Sequence, residues 1–165
     1  MRILVTGSSG FVGSYLVRSL VQRDHTIHGL DIKAPAFPRS YLHHNIDITN
    51  PIPVADLFHR FKFDAIAHLA AGVGPENVVT DPYSTVLVNV EGTQNILEAI
   101  NLYSPKSRPF VLFTSTSEVY GNSPDRPFSE EHSPLVLGPS HERRWSYAAS
   151  KISAEHLVLA RGGAV

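Results

Sequence analysis

The chain of 165 residues is 42% hydrophobic and carries a formal net charge of −1, one domain's worth of sequence with enough apolar residues to bury a core. Its lysines and arginines are scattered rather than gathered on one face, which argues against nucleic acid and against a membrane surface and leaves small molecules as the expected partners. There is no cysteine, so disulfides, thiolate metal sites and cysteine nucleophiles are excluded.

From the amino end, the β-branched run Arg2-Ile3-Leu4-Val5-Thr6 meets Gly7-Ser8-Ser9-Gly10-Phe11-Val12-Gly13, and a segment with apolar residues at helical spacing (Val12, Leu16, Leu20) follows to Val21. This reads as strand, glycine-rich turn and helix. Gly7 permits the sharp turn, Gly10 lets backbone approach a pyrophosphate, and Gly13 lets the helix lie close on the strand, while the helix amides and dipole favour an anion. The next apolar run, His25 to Leu30, ends in Asp31, an acid about 20 residues after the loop and placed to accept both hydroxyls of an adenosine ribose. The amino end therefore reads as a dinucleotide site. Asp31 favours NAD over NADP, because a carboxylate repels a 2′-phosphate; Lys33 nearby leaves NADP open.

Lys33 to Pro38 reads as a loop by its prolines, Tyr41 to Ile46 as a short strand ending in Asp47-Ile48, and Pro53 to Phe61 as a helix. Phe63 to Gly72 reads as a buried strand running into small residues, where a flat cofactor can approach the backbone. Asp81 to Tyr103 is the longest helical segment, and its apolar residues cover more than one face, one for the sheet and one for a partner. Phe110 to Thr114 is another buried strand, followed by Ser115-Thr116-Ser117-Glu118-Val119-Tyr120-Gly121, a loop with four prolines, and a final helix from about Arg144 to Arg161.

Five strands alternating with four helices predict an α/β fold, a Rossmann-type doubly wound parallel sheet of strand order 3-2-1-4-5, with strands one, four and five ending on a common crevice. The residues after Met1 are already a core strand, which leaves no room for a signal peptide, and no apolar run approaches membrane-spanning length; the expected compartment is the cytoplasm. The nine histidines, His43-His44 among them, show no metal-ligand spacing, so no metal is expected. His68 is expected as a packed neighbour of the cofactor.

In the final helix Tyr147 and Lys151 lie four apart, hence on one face. A lysine cation beside a phenol lowers its pKa from about 10 towards the range of a general base. Together with Gly7-x-x-Gly10-x-x-Gly13, Asp31, Asp47-Ile48, His68-Leu69-Ala70-Ala71, Asn89-Val90-x-Gly92-Thr93 and Ser115-Thr116-Ser117-x-Val119-Tyr120-Gly121, this pair carries a resemblance. Over all 165 residues the sequence resembles the extended short-chain dehydrogenase/reductases that act as nucleotide-sugar epimerases, dehydratases and decarboxylases.

The resemblance implies that the Phe11 and Val12 amides hold the pyrophosphate, that Asp47 and Ile48 border the adenine, and that Leu69, Ala70 and Ala71 line the NAD. It further implies that Asn89 ties the long helix to the site, that Thr116 binds the reacting sugar hydroxyl, that Tyr147 removes its proton, and that Lys151 binds the nicotinamide ribose while tuning Tyr147. In the catalytic set Thr116, Ser117, Glu118, Tyr147 and Lys151, the acid argues against simple epimerisation, and Ser117 stands where the dTDP-glucose type of dehydratase has Asp. With Ser129-Glu130-Glu131-His132-Ser133, Gly138-Pro139 and Arg144-Trp145-x-Tyr147, the set looks most like UDP-glucuronate decarboxylases. Nucleotide-sugar 4,6-dehydratase and 4-epimerase are the alternatives. The expected substrate is a UDP-sugar, and the expected assembly a homodimer through the helices around 83–103 and 144–161.

Family members are about twice as long, so residues 1–165 are expected to be an incomplete NAD-binding domain. Strands six and seven and the sugar-binding domain are expected to be absent, strand five to be left an exposed edge, and turnover by this chain alone to be small. The contrary class is a non-catalytic NAD-binding module, against which an intact Thr116, Tyr147 and Lys151 set speaks.

Overall fold

The computed structural model describes residues 1–35 and 41–165. Ile3, Leu4 and Val5, all buried, make β1 (Arg2–Thr6) the middle of a five-stranded parallel sheet. β2 (Thr26–Asp31) and β3 (Leu42–Asn45) lie to one side, β4 (Ala65–His68) and β5 (Phe110–Phe113) to the other, so the order β3-β2-β1-β4-β5 is the expected one. The register sets Thr6 between Leu30 and His68, and His68 beside Phe113. All the carboxyl ends therefore finish at one level, where a parallel sheet offers its crevice.

Side chains alternate across the sheet, and two cores result. Ile3, Val5, Ile27 and Ala67 pack with Val17 of α1 (Phe11–Val21). Leu4, Leu30, Ile66, Val111 and Phe113 pack on the other face with residues of α2 (Pro51–Arg60), of α4 (Pro82–Tyr103) and of α5 (Trp145–Leu159). α4 packs on both α2 and α5, which uses more than one of its faces within the chain; Tyr83 and Leu102 stay exposed on it.

Four expectations need correction. Among the described residues there are five α-helices where four were expected, because Gly74-Pro75 starts a one-and-a-half-turn α3 (Pro75–Thr80) whose six residues are too few to show a period. α2 starts at Pro51 rather than Pro53, since Asn50 caps Ile52 N at 3.2 Å and proline suits a first turn. β4 stops at His68, four residues before the apolar run does. β5 is not a bare edge: after Gly162 (φ 76°) the chain turns back, Phe113 N donates to Ala164 O at 2.9 Å and Ala164 N to Val111 O at 2.8 Å. The loop expected at Lys33 to Pro38 lies in part outside the described residues. Among the described residues no helix is long and apolar enough to cross a membrane.

Candidate active site

At the end of β1 the glycine turn is held from two sides. Gly7 adopts φ 69°, a left-handed conformation that favours glycine, and a Cβ there would meet Ala70 N at 2.8 Å. A Cβ at Gly13 would lie 2.0 Å from Gly7 O, so the close approach is of α1 to the turn itself. Gly10 differs: among the described residues a Cβ would meet only Gly7 O, at 3.2 Å. Gly10 opens α1 with no side-chain cap, and Phe11 and Val12 behind it are exposed. A helix start that is uncapped and open fits an anionic ligand.

Asp31 stands beside this loop. Its carboxylate accepts from Ser9 N and from Lys33 N, each at 2.9 Å, which fixes its orientation while each oxygen keeps a lone pair for a hydroxyl. Asp47 Oδ1 accepts from Thr49 N at 2.9 Å and from Thr49 Oγ1 at 2.8 Å. The buried Ile48 fills the notch left by Gly92, where a Cβ would lie 2.4 Å from Ile48 Cδ1, and its carbonyl accepts from Asn95 Nδ2 at 2.9 Å. Asn95 was not singled out in the sequence; its place two residues after Gly92-Thr93 was the available signal.

Leu69, Ala70 and Ala71 follow β4, half-buried. Ala70 N donates to Thr6 Oγ1 at 3.1 Å. Asn89, buried in α4, accepts from Gly72 N at 2.8 Å and donates to Ser150 Oγ at 2.9 Å, so one amide joins the β4 loop, α4 and α5. His68 sits a layer behind this wall, buried between Thr6 and Thr93. Burial, and secondarily Lys151, push its pKa down to about 3.

The hydroxyl cluster ends β5 and opens a single 3-10 turn (Ser117–Tyr120) that packs on α5. Thr116 Oγ1 caps that turn at Glu118 N, 3.3 Å away, and lies near the Tyr147 phenol. Ser117 is exposed at the start of the turn. The phenol's pKa is raised, first by burial; the Thr116 hydroxyl opposes this, and the Glu118 carboxylate adds to it.

Lys151 departs from expectation. Its side chain is 2% exposed and turns inward on the end of β5: the ammonium donates to Thr114 O and lies 3.9 Å from the centre of the Phe113 ring. Burial lowers its pKa to about 8, with Glu155 acting the other way. The expected lowering of the Tyr147 pKa by Lys151 is therefore not what this structure holds, because the lysine donates to the Thr114 carbonyl just past β5 and not to the phenol. Among the described residues no group of three or more His, Cys, Asp or Glu side chains could hold a metal; His28 and His44 instead stack, Nδ1 to Nε2, at 3.0 Å.

Residues 3–164 match the family model described as the NAD dependent epimerase/dehydratase family. The chain belongs to that family. Among solved structures, it superposes on the UDP-glucose 4-epimerase of Thermus thermophilus in complex with NAD at a TM-score of 0.83, with 31% identity over 98% of this chain and 51% of that one. It superposes on Pal from Bacillus thuringiensis at 0.81, with 31% identity over 97% and 51%. For the UDP-glucose 4-epimerase of Thermotoga maritima, solved with UDP-glucose, the figures are 0.84, and 25% identity over 98% and 51%. The chain thus spans about half the length of these structures. The family's cofactor is NAD, and the open Gly10, the uncapped start of α1 and the oriented Asp31 suit it.

Proposed function

We propose that the protein is an NAD-dependent nucleotide-sugar-modifying enzyme that oxidises the C4 hydroxyl of a UDP-sugar, with Thr116, Glu118, Tyr147 and Lys151 as its catalytic residues. The observation that carries this reading is the half-buried Tyr147 phenol on α5, which packs on the turn after β5, with Thr116 and Glu118 of that turn near enough to bear on its titration. NAD, when bound, accepts the hydride from the sugar carbon. Thr116 orients the sugar hydroxyl, Tyr147 takes its proton, and Lys151, by turning from Thr114 O to the ribose side, brings its positive charge towards the phenol.

Glu118 favours a decarboxylase-like outcome on a UDP-glucuronate-type substrate. Oxidation at C4 leaves the C6 carboxylate β to a ketone, and such an acid loses carbon dioxide once held in the right orientation. The second reading, a 4-epimerase, is favoured by the likeness to two UDP-glucose 4-epimerases. As part of the same reading, Phe11 and Val12 amides bind the pyrophosphate, Asp47 and Ile48 border the adenine, and two copies pair through α4 and α5.

In the protein that carries this chain, Tyr147→Phe should abolish NAD reduction with UDP-glucuronate and leave NAD binding nearly intact. Normal sugar oxidation by that variant would overturn the assignment. Release of carbon dioxide from UDP-glucuronate by the wild type supports the decarboxylase; interconversion of UDP-glucose and its C4 epimer puts the epimerase in its place.

A further inference from the structure

Three consecutive residues after β5 meet three successive turns of one face of α5: Thr114 O accepts from the Lys151 ammonium, Ser115 Oγ donates to the Glu155 carboxylate, and Thr116 lies near the Tyr147 phenol. Two of these contacts belong to the site already described. The third is unused by it. Ser115 donates to Glu155 Oε1, and Glu155 stands one turn beyond Lys151 on the same face.

Lys151 needs such a neighbour. A buried ammonium whose partners among the described residues are one carbonyl and one aromatic face is poorly compensated for the water it has lost. The titratable groups around it come from three elements. His68 of β4 is buried and neutral; Glu118 lies on the 3-10 turn and bears on Tyr147; on α5, Tyr147 is an uncharged phenol one turn before Lys151, and Glu155 is a carboxylate one turn after it. Of these, Glu155 is the carboxylate on the lysine's own face of α5, anchored by Ser115 next to the Thr114 carbonyl that takes the ammonium, and its charge favours the ammonium.

We propose that Glu155, tethered through Ser115 to the end of β5, is the counter-charge of Lys151: a positioning residue that keeps the ammonium protonated in a site where burial works against it. The proposal rests on the enzyme reading for its purpose, since a protonated Lys151 is what a ribose hydroxyl and a phenolate require. Its test does not. The four lysines of the sequence (Lys33, Lys62, Lys106 and Lys151) give few ε-carbon signals to resolve by NMR after lysine labelling, and each can be titrated without cofactor or substrate.

Glu155→Gln keeps an acceptor for Ser115 and removes the charge. Lys151 should then titrate at lower pH than in the wild type, by about half a unit or more, while Lys33, Lys62 and Lys106 stay where they were. Glu155→Asp, which keeps the charge, should recover most of the difference. An unmoved Lys151 in a folded Glu155→Gln protein overturns the proposal. Should that variant not fold, Ser115→Ala frees the carboxylate to turn to solvent, and Lys151 should again move down; an unmoved Lys151 there overturns it equally. Failure of the UDP-sugar reading would show as absent turnover with the Lys151 shift intact.

Discussion

His68 Nε2 lies 3.0 Å from Thr93 Oγ1, and the direction of that bond fixes the imidazole's tautomer. Thr93 spends its hydroxyl proton on Asn89 O, 2.6 Å away, so it accepts from His68. Nε2 then carries the hydrogen. Nδ1 accepts from Thr6 Oγ1 at 2.6 Å, and Thr6 in turn accepts from Ala70 N. The wall expected to line the cofactor is hung on a chain of donors running one way from Ala70 to α4.

His68 should therefore appear in nitrogen NMR as the Nε2–H tautomer and stay neutral far below the usual histidine range. A pKa held at about 3 when folded and near 6.5 when unfolded means that the unfolded chain binds the extra proton between those values. Stability thus rises with pH across that window, by up to about 1.4 kcal/mol per pH unit from this residue, and is lost as pH falls through it. His28, brought down to about 4 by burial and then by His44 and Arg2, acts with the same sign. Urea unfolding measured from pH 7 to pH 5 should show the slope, and His68→Gln should flatten it.

Asp31 should decide the cofactor. With both oxygens already oriented by Ser9 and Lys33 amides, its removal in Asp31→Ala should weaken NAD binding by roughly 1 to 3 kcal/mol, the loss of charge-assisted hydrogen bonds. Calorimetric titration with both dinucleotides checks this; equal or reversed affinities in the wild type would sink the role given to Asp31.

The glycines of the loop should separate by function. Gly13→Ala drives a methyl to 2.0 Å from Gly7 O, and because the obstacle is backbone, the cost in stability should be about 1–3 kcal/mol or more. Gly10→Ala meets a single atom at 3.2 Å and should change stability by no more than about 0.5 kcal/mol while reducing NAD affinity. Denaturant unfolding and NAD titration of the two variants test the contrast. Gly10→Ala with wild-type NAD affinity would mean that the pyrophosphate does not pass there.

How far the sequence carries depends on whether a feature is local. Strand order follows from alternation of β-branched runs with helical spacing, and the turn from three glycines, so both were readable. α3 is too short for a period to show. The Ala164 pairing with β5 requires the chain to reverse at Gly162, which no spacing announces. The turn of Lys151 is the instructive case: four-residue spacing puts it on the face of Tyr147, but which acceptor it finds is set by Thr114 and Phe113, 37 residues or so away in the chain and adjacent only once β5 and α5 have packed.

Glu118 offers the sharpest check on the proposed chemistry. Its carboxylate raises the Tyr147 pKa, since a second negative charge disfavours the phenolate, while the Thr116 hydroxyl works against that. A base must lose its proton before it can take one, so in the free protein both burial and Glu118 hold Tyr147 in the unreactive form. Glu118→Gln should move the Tyr147 titration to lower pH, and Thr116→Val should move it to higher pH, each read by ultraviolet difference titration against Tyr147→Phe. In turnover, the acid limb of NAD reduction should follow the phenol: to lower pH in Glu118→Gln, to higher in Thr116→Val. For a decarboxylase the same Glu118→Gln protein should also lose product release of carbon dioxide more than sugar oxidation. A Tyr147 titration that ignores both substitutions would remove Glu118 and Thr116 from the site.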